Sequence, residues 1–163
     1  MEEGNKVGDT KKNKVMVAVD ESECSHYALE WALQTLGDSI AKSELVIFNA
    51  QSLADYSYIT ATSYGVTPPE LIQNLQENQK KAALALLDRA KNICSKLGVV
   101  AETLTEVGDP KDTICQAVEK LDIHLLVLGS HGRGALKRAF LGSVSNYCVH
   151  NAKCPVLVVR KPA

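Results

Sequence analysis

Apolar positions along this chain fall into two kinds of run that alternate. Lys14–Asp20 (KVMVAVD), Ser43–Ala50 (SELVIFNA), His124–Leu128 and Pro155–Arg160 (PVLVVR) are short, continuous and rich in β-branched residues, which predicts strands buried on both faces. Between them the apolar residues recur at helical spacing. Ser22 or Ser25 can cap a first helix with Ala28, Trp31, Ala32, Thr35 and Leu36 on its inner stripe, stopping at Gly37. That spacing explains Trp31 as a core residue rather than a ligand platform. Pro69 and Glu70 suit the first turn of a long helix. Its Ile72, Leu75, Gln79, Ala82, Leu86, Ala90, Ile93 and Leu97 keep a helical spacing with one polar interruption, and Gly98 ends it. Val99–Val107 alternates more weakly, as expected of a strand at a sheet edge. Asp109 and Pro110 then read as N-cap and first residue of a helix that turns Ile114, Ala117, Val118 and Leu121 inward. A last helix is predicted over Ser143–His150, with Asn151 as a left-handed cap.

The order β-α-β-α-β-α-β-α-β predicts an α/β fold, a parallel sheet covered on both faces and joined by right-handed crossovers. At 163 residues, with no internal repeat, one domain is expected over residues 14–163. Residues 1–13 lack an apolar core and read as a polar, flexible tail, neither signal peptide nor anchor. The stretch Gln51–Pro68, rich in Ser, Thr and Tyr, has no period, and a loop of that length is usually functional or disordered. Charge narrows the partners. Eighteen basic and nineteen acidic side chains provide no global field towards nucleic acid or an anionic membrane, and no apolar run nears the roughly 20 residues that span a bilayer. Five cysteines, odd in number and without a C-x-x-C pair, suggest reduced thiols in a cytoplasmic compartment, mostly small core residues.

Candidate chemistry concentrates in Leu125–Ser145, LLVLGSHGRGALKRAFLGSVS. A buried strand turns through Gly129, Gly132 and Gly134, passes Arg133, Lys137 and Arg138, and restarts at Gly142-Ser143 before a helix. Freed backbone N–H groups and a helix N-terminus suit a phosphate. In a doubly wound sheet, ligands sit beyond the carboxyl ends of the strands, where the ends at Asp20, at Val107-Gly108 and at Gly129 would converge. Asp20 could accept hydrogen bonds from a ribose or an adenine amino group, or could serve only as a turn aspartate for Ser22 to Cys24. Neither the P-loop pattern nor the Rossmann G-x-G-x-x-G occurs.

What occurs is Gly129-x2-Gly132-x9-Gly142-Ser143. With VAVD at Val17–Asp20, ALEWAL at Ala28–Leu33, VGDP at Val107–Pro110 and CPVLVVR at Cys154–Arg160, residues 14–160 resemble the universal stress protein family, ATP-binding type. The Trp31 helix and the Tyr-rich loop are similar to those of plant members. The resemblance implies a single-domain three-layer sandwich whose five-stranded parallel sheet has the order 3-2-1-4-5, as in the adenine nucleotide alpha hydrolase-like fold. It places Ala18, Val19 and Asp20 against adenine and ribose, with Ala50 nearby and Val107 and Gly108 beside the base. Gly129, Gly132, Gly142, Ser143, Val144 and Ser145 would hold ribose and phosphates, with Arg133 as a further contact and Mg²⁺ on the phosphates in some members. Asn49-Ala50 departs from the family's frequent His-Val pair. The last strand would pair with its twin in a homodimer, which would also cover an exposed apolar edge. The implied function is a nucleotide-binding stress-response module with little turnover. The rivals are a slow ATP hydrolase using His131, Arg133 or Lys137, and a chaperone-like or interaction module regulated by phosphorylation of the Gln51–Pro68 loop.

Overall fold

The structure, a computed structural model, describes residues 11–52, 69–131 and 141–162. Most of the N-terminal tail, most of the Gln51–Pro68 loop, and Gly132, Arg133, Gly134, Lys137 and Arg138 lie outside the described residues. In chain order the elements are β1 (Lys14–Ala18), α1 (Glu23–Thr35), α2 (Gly37–Ala41), β2 (Glu44–Gln51) and α3 (Pro69–Lys96). They continue with β3 (Ala101–Val107), α4 (Pro110–Lys120), β4 (Leu125–Gly129), α5 (Ser143–Asn151) and β5 (Val156–Val159). All four strand pairings are parallel, in the order β3-β2-β1-β4-β5, and the register sets Val17 of β1 between Ile47 and Val127.

Strand alternation builds two cores, one on each face. Val15, Val17, Leu45, Ile47 and Val127 point towards α1, α2 and α3, where they meet Ala28, Leu29, Ile40, Leu87 and Cys94. Met16, Val46, Phe48, Leu126 and Leu128 point the other way, onto Ile114, Ala117 and Val118 of α4 and Cys148 of α5. A strand that is apolar on successive residues must be covered twice, so the continuous runs in the sequence force the three layers. Ser22 caps α1 by accepting the Ser25 N–H at 3.2 Å, and Asp109 caps α4 by accepting the Lys111 N–H at 3.3 Å.

Several local expectations are corrected. The inner stripe of α1 is Ser25, Ala28, Leu29, Ala32 and Leu33; Thr35 is exposed, because a stripe through Leu29 and Leu33 buries more apolar surface than one through Thr35. Trp31 packs part-buried against that core. α1 ends at Thr35, and Gly37 opens α2 instead of merely stopping α1. The buried positions of α3 are Ala83, Leu87, Ala90 and Cys94, all in its second half, so the first half runs out past the sheet; Leu97, assigned to the stripe, is exposed. β3 starts at Ala101 rather than Val99, leaving Val100 exposed. Asn151 is not a left-handed cap: it completes α5, sends its Nδ2 to the Tyr147 carbonyl at 2.8 Å, and Asp122 is the one non-glycine with positive φ among the described residues.

Two features make the packing testable. A Cβ on Gly129 would sit 2.8 Å from the Cys24 carbonyl and 2.9 Å from the Ser25 nitrogen, so β4 and the first turn of α1 touch backbone to backbone. Gly129→Ala is expected to cost about 1–3 kcal/mol and lower the thermal midpoint by about 3–10 °C; a wild-type melting curve would contradict this contact. Burial pushes the Cys94 thiol up to about 11 and the Cys148 thiol, 3.9 Å from that of Cys115, up to about 12. Thiolate is the reactive form, so neither should be alkylated near pH ~8 until denaturant is added, as peptide mass mapping can read. Above the ordinary thiol value of 9.0 the unfolded chain holds fewer protons than the folded one, so these two thiols make stability fall as pH rises from there towards 12.

Candidate functional site

The strand order reverses between β1 and β4, and there the carboxyl ends of the sheet open into a cavity of about 870 Å³. Its floor is apolar, made by Ala18, Phe48 and Leu128, with Pro110 and Ile114 of α4 continuing it. α3 forms one wall, through Leu75, Asn78, Gln79 and Ala82 of its overhanging half and Ala83 and Leu86 at the start of its second half. A helix that outruns its sheet can bury its apolar stripe there only against such a cavity or what fills it.

The opposite wall is the start of α5. Gly142 stands at its N-cap with an extended backbone and no side-chain cap, so the first-turn N–H groups of Ser143, Val144 and Ser145 are left without helical partners beside the cavity. This geometry is held by the carbonyl of Ser130, which accepts the Gly142 N–H at 2.7 Å and the Ser145 hydroxyl at 2.9 Å. The approach is close: a Cβ on Gly142 would lie 3.0 Å from the Ser130 oxygen and 3.3 Å from the His131 Cα. Ser145 is buried and its hydroxyl proton is committed, so only its backbone N–H remains to offer. His131 lines the same end, its Nδ1 buried without a hydrogen-bond partner.

Asp20 lies on the rim just after β1, and both readings of it have a physical basis. Its Oδ1 accepts the Ser22 N–H at 2.8 Å, the turn role, while the residue itself lines the cavity. Its backbone is pinned by Ser25, whose buried hydroxyl accepts the Asp20 N–H and reaches the Asp20 carbonyl, each at 3.0 Å.

Of the residues singled out in the sequence, Ala18, Val19, Asp20, Ala50, Gly129, Gly142, Ser143, Val144 and Ser145 line this one cavity. Val107 and Gly108 do not: Val107 is exposed, Gly108 gives its N–H to the Gln51 carbonyl at 2.9 Å, and the cavity surface nearest in sequence is Pro110. Gly132 and Arg133 lie outside the described residues. Sequence reasoning missed a row of carboxamides. Buried Asn49 donates to the Val19 carbonyl at 2.9 Å and accepts from the Thr105 hydroxyl, which in turn accepts from Gln51 at 3.1 Å. Asn49 thus ties β2 to β3 and to the residue that follows β1. The one signal in the sequence was Gln79, the polar interruption of the α3 stripe.

Among the described residues no three His, Cys, Asp or Glu side chains converge to hold a metal ion, and no helix is long and apolar enough to cross a membrane. Comparison with known proteins agrees with the architecture. Residues 12–160 match the sequence model of the universal stress protein family. A universal stress protein A-like protein of Arabidopsis thaliana is 31% identical, over 94% of this chain and 93% of its own length. A universal stress protein of Bacillus subtilis is 32% identical, over 91% of this chain and 99% of its own. A solved universal stress protein family structure from Arabidopsis thaliana with AMP bound has 28% identity, a TM-score of 0.67 and 93% of both chains covered. With the sheet order, the glycine spacing and these matches in agreement, the chain belongs to the universal stress protein family.

Proposed function

We propose that this protein binds an adenine nucleotide in the cavity at the β1/β4 switch and holds it, as a regulatory module of the stress response, with little turnover. The observation that carries the reading is the uncapped first turn of α5, whose residues Ser143, Val144 and Ser145 line the same cavity of about 870 Å³ as an apolar floor. The AMP-bound Arabidopsis relative supports it, since that protein is similar along nearly the whole chain.

In this reading Ser143, Val144 and Ser145 donate backbone N–H groups to phosphate, and Gly129 and Gly142 keep that wall thin; Gly132 and Arg133, outside the described residues, are proposed as further phosphate contacts. Val19 and Asp20 take the ribose, and Ala18 and Ala50 lie against the base. A Mg²⁺ ion would ride on the nucleotide's phosphates, because the described side chains supply no cage of their own. Holding rather than hydrolysing suits a wall of main-chain donors. Hydrolysis needs in addition a group that positions the attacking water.

We further propose a homodimer through β5. It is an edge strand of apolar residues with little charge to blunt it, and a twin strand would pair its open side. The five cysteines are all free, which suits a reducing compartment such as the cytoplasm.

Calorimetry with AMP and ATP tests the site. Wild type should bind at least one of them, and Gly142→Val, whose side chain would be driven into Ser130 and His131, should weaken binding at least ~10-fold. Equal affinity for both proteins would refute the site, and steady ADP release over many turnovers would refute the holding role. Removing the carboxylate in Asp20→Asn should cut the preference for ATP over free tripolyphosphate by about tenfold, while phosphate-end binding persists. Wild type that binds ATP and tripolyphosphate equally would exclude Asp20 from ribose recognition.

A further inference from the structure

The thiols of Cys115 on α4 and Cys148 on α5 lie 3.9 Å apart, the one contact between two thiols among the described residues. They sit at different depths. Cys148 is fully buried among Ile114, Ala117 and Val118, while Cys115, next along α4 from Ile114, packs part-exposed at the border of the same cluster. The other thiols have other surroundings. Cys94 is buried on the opposite face of the sheet, Cys24 stands in the first turn of α1, and Cys154, the third thiol near the pair, hydrogen-bonds the Leu126 backbone.

Two sulfurs held in contact have already made the encounter that a bimolecular reaction must wait for, so once one is oxidised the other is its nearest nucleophile. Burial sets the resting state. It raises both thiols, Cys148 to about 12, so near neutral pH they stay protonated and slow to react, and the pair is reduced until oxidant is plentiful. The helices concerned both border the cavity: α4 supplies Pro110 and Ile114 of its floor, and α5 supplies Ser143, Val144 and Ser145 of its wall.

We infer that Cys115 and Cys148 are an oxidisable pair, converted by a hydroperoxide to a reversible disulfide that clamps α4 to α5. The part-exposed Cys115 reacts first. Its sulfur takes the terminal oxygen of the hydroperoxide, the O–O bond breaks, the thiol proton leaves with the departing alkoxide as an alcohol (water from hydrogen peroxide), and Cys115 becomes a sulfenic acid. The Cys148 sulfur then attacks that of Cys115; the S–O bond breaks, and hydroxide leaves as water with the Cys148 proton. Two thiols lose two electrons and the hydroperoxide gains two. The sulfurs close from 3.9 Å to about 2.0 Å, and thiol exchange with a dithiol reverses the bond.

The full chain is treated with excess hydrogen peroxide, blocked with N-ethylmaleimide in denaturant, digested with trypsin and mapped by mass spectrometry. Trypsin leaves Cys115 in residues 112–120, Cys148 in 139–153 and Cys154 in 154–160, so each pairing has its own mass. Peptides 112–120 and 139–153 should be joined and be separated again by dithiothreitol. Closing a chain segment of 33 residues should also raise the thermal midpoint by about 5–10 °C, reversed by the same reductant. Cys115→Ser and Cys148→Ala should each abolish both effects, and in Cys148→Ala dimedone should trap Cys115 as its sulfenic acid. The wild-type map stands on its own should either variant fold poorly. Absence of the link, a link from Cys115 to Cys154 or between two chains, or a link that leaves the midpoint unchanged overturns the inference.

Discussion

Everything at the candidate site depends on how closely the end of β4 lies against its neighbours. Gly129 meets the first turn of α1 backbone to backbone, and one residue later the Ser130 carbonyl receives both the N–H of Gly142 and the hydroxyl of Ser145. The first contact sets where α1 and the Asp20 turn lie; the second sets where α5 begins. A side chain on Gly129 would drive the two sides of the cavity apart. Packing and ligand geometry are therefore one constraint, since dense interiors do not deform gradually.

The cavity that results has two chemical ends. One offers main-chain N–H groups at a helix N-terminus, which recognise charge without committing to what carries it. The other is edged by Asn49, Gln51 and Gln79, with Asn78 alongside on α3. Carboxamides pair donor and acceptor in one plane, the geometry of a base edge. The two ends thus differ in chemistry, main-chain donors at one and side-chain amides at the other. Asn49 belongs to the second: its two bonds tie β2 to β3 and to the residue that follows β1 while adding no charge.

Much of this was legible in the sequence, for identifiable reasons. Runs such as Val15–Val19 can only be doubly covered strands, so the layers and the parallel sheet follow. Nine of the thirteen site residues implied by the family resemblance line one cavity, because a parallel sheet delivers its carboxyl ends to one side. Less legible was anything decided by rotation of a helix or by a side chain's second bond. Thr35 and Leu97 fit a helical period yet face solvent, since a period fixes spacing and not phase. Val107 ends its strand as expected, yet neither it nor Gly108 is among the residues lining the cavity. Ser130 passed unnoticed because its contribution is a carbonyl, which every residue type carries.

Ser130 has one more bond. Its N–H donates to the carbonyl of Val159, on the outermost strand, at 3.0 Å. A single residue thus separates the outer border of the sheet from the clasp that frames the start of α5. Displacing β5 must either break the Ser130 bond or drag the residue on which the start of α5 hangs. The molecule's rim and its pocket are mechanically one part, so a load on the outer strand is felt at the start of α5.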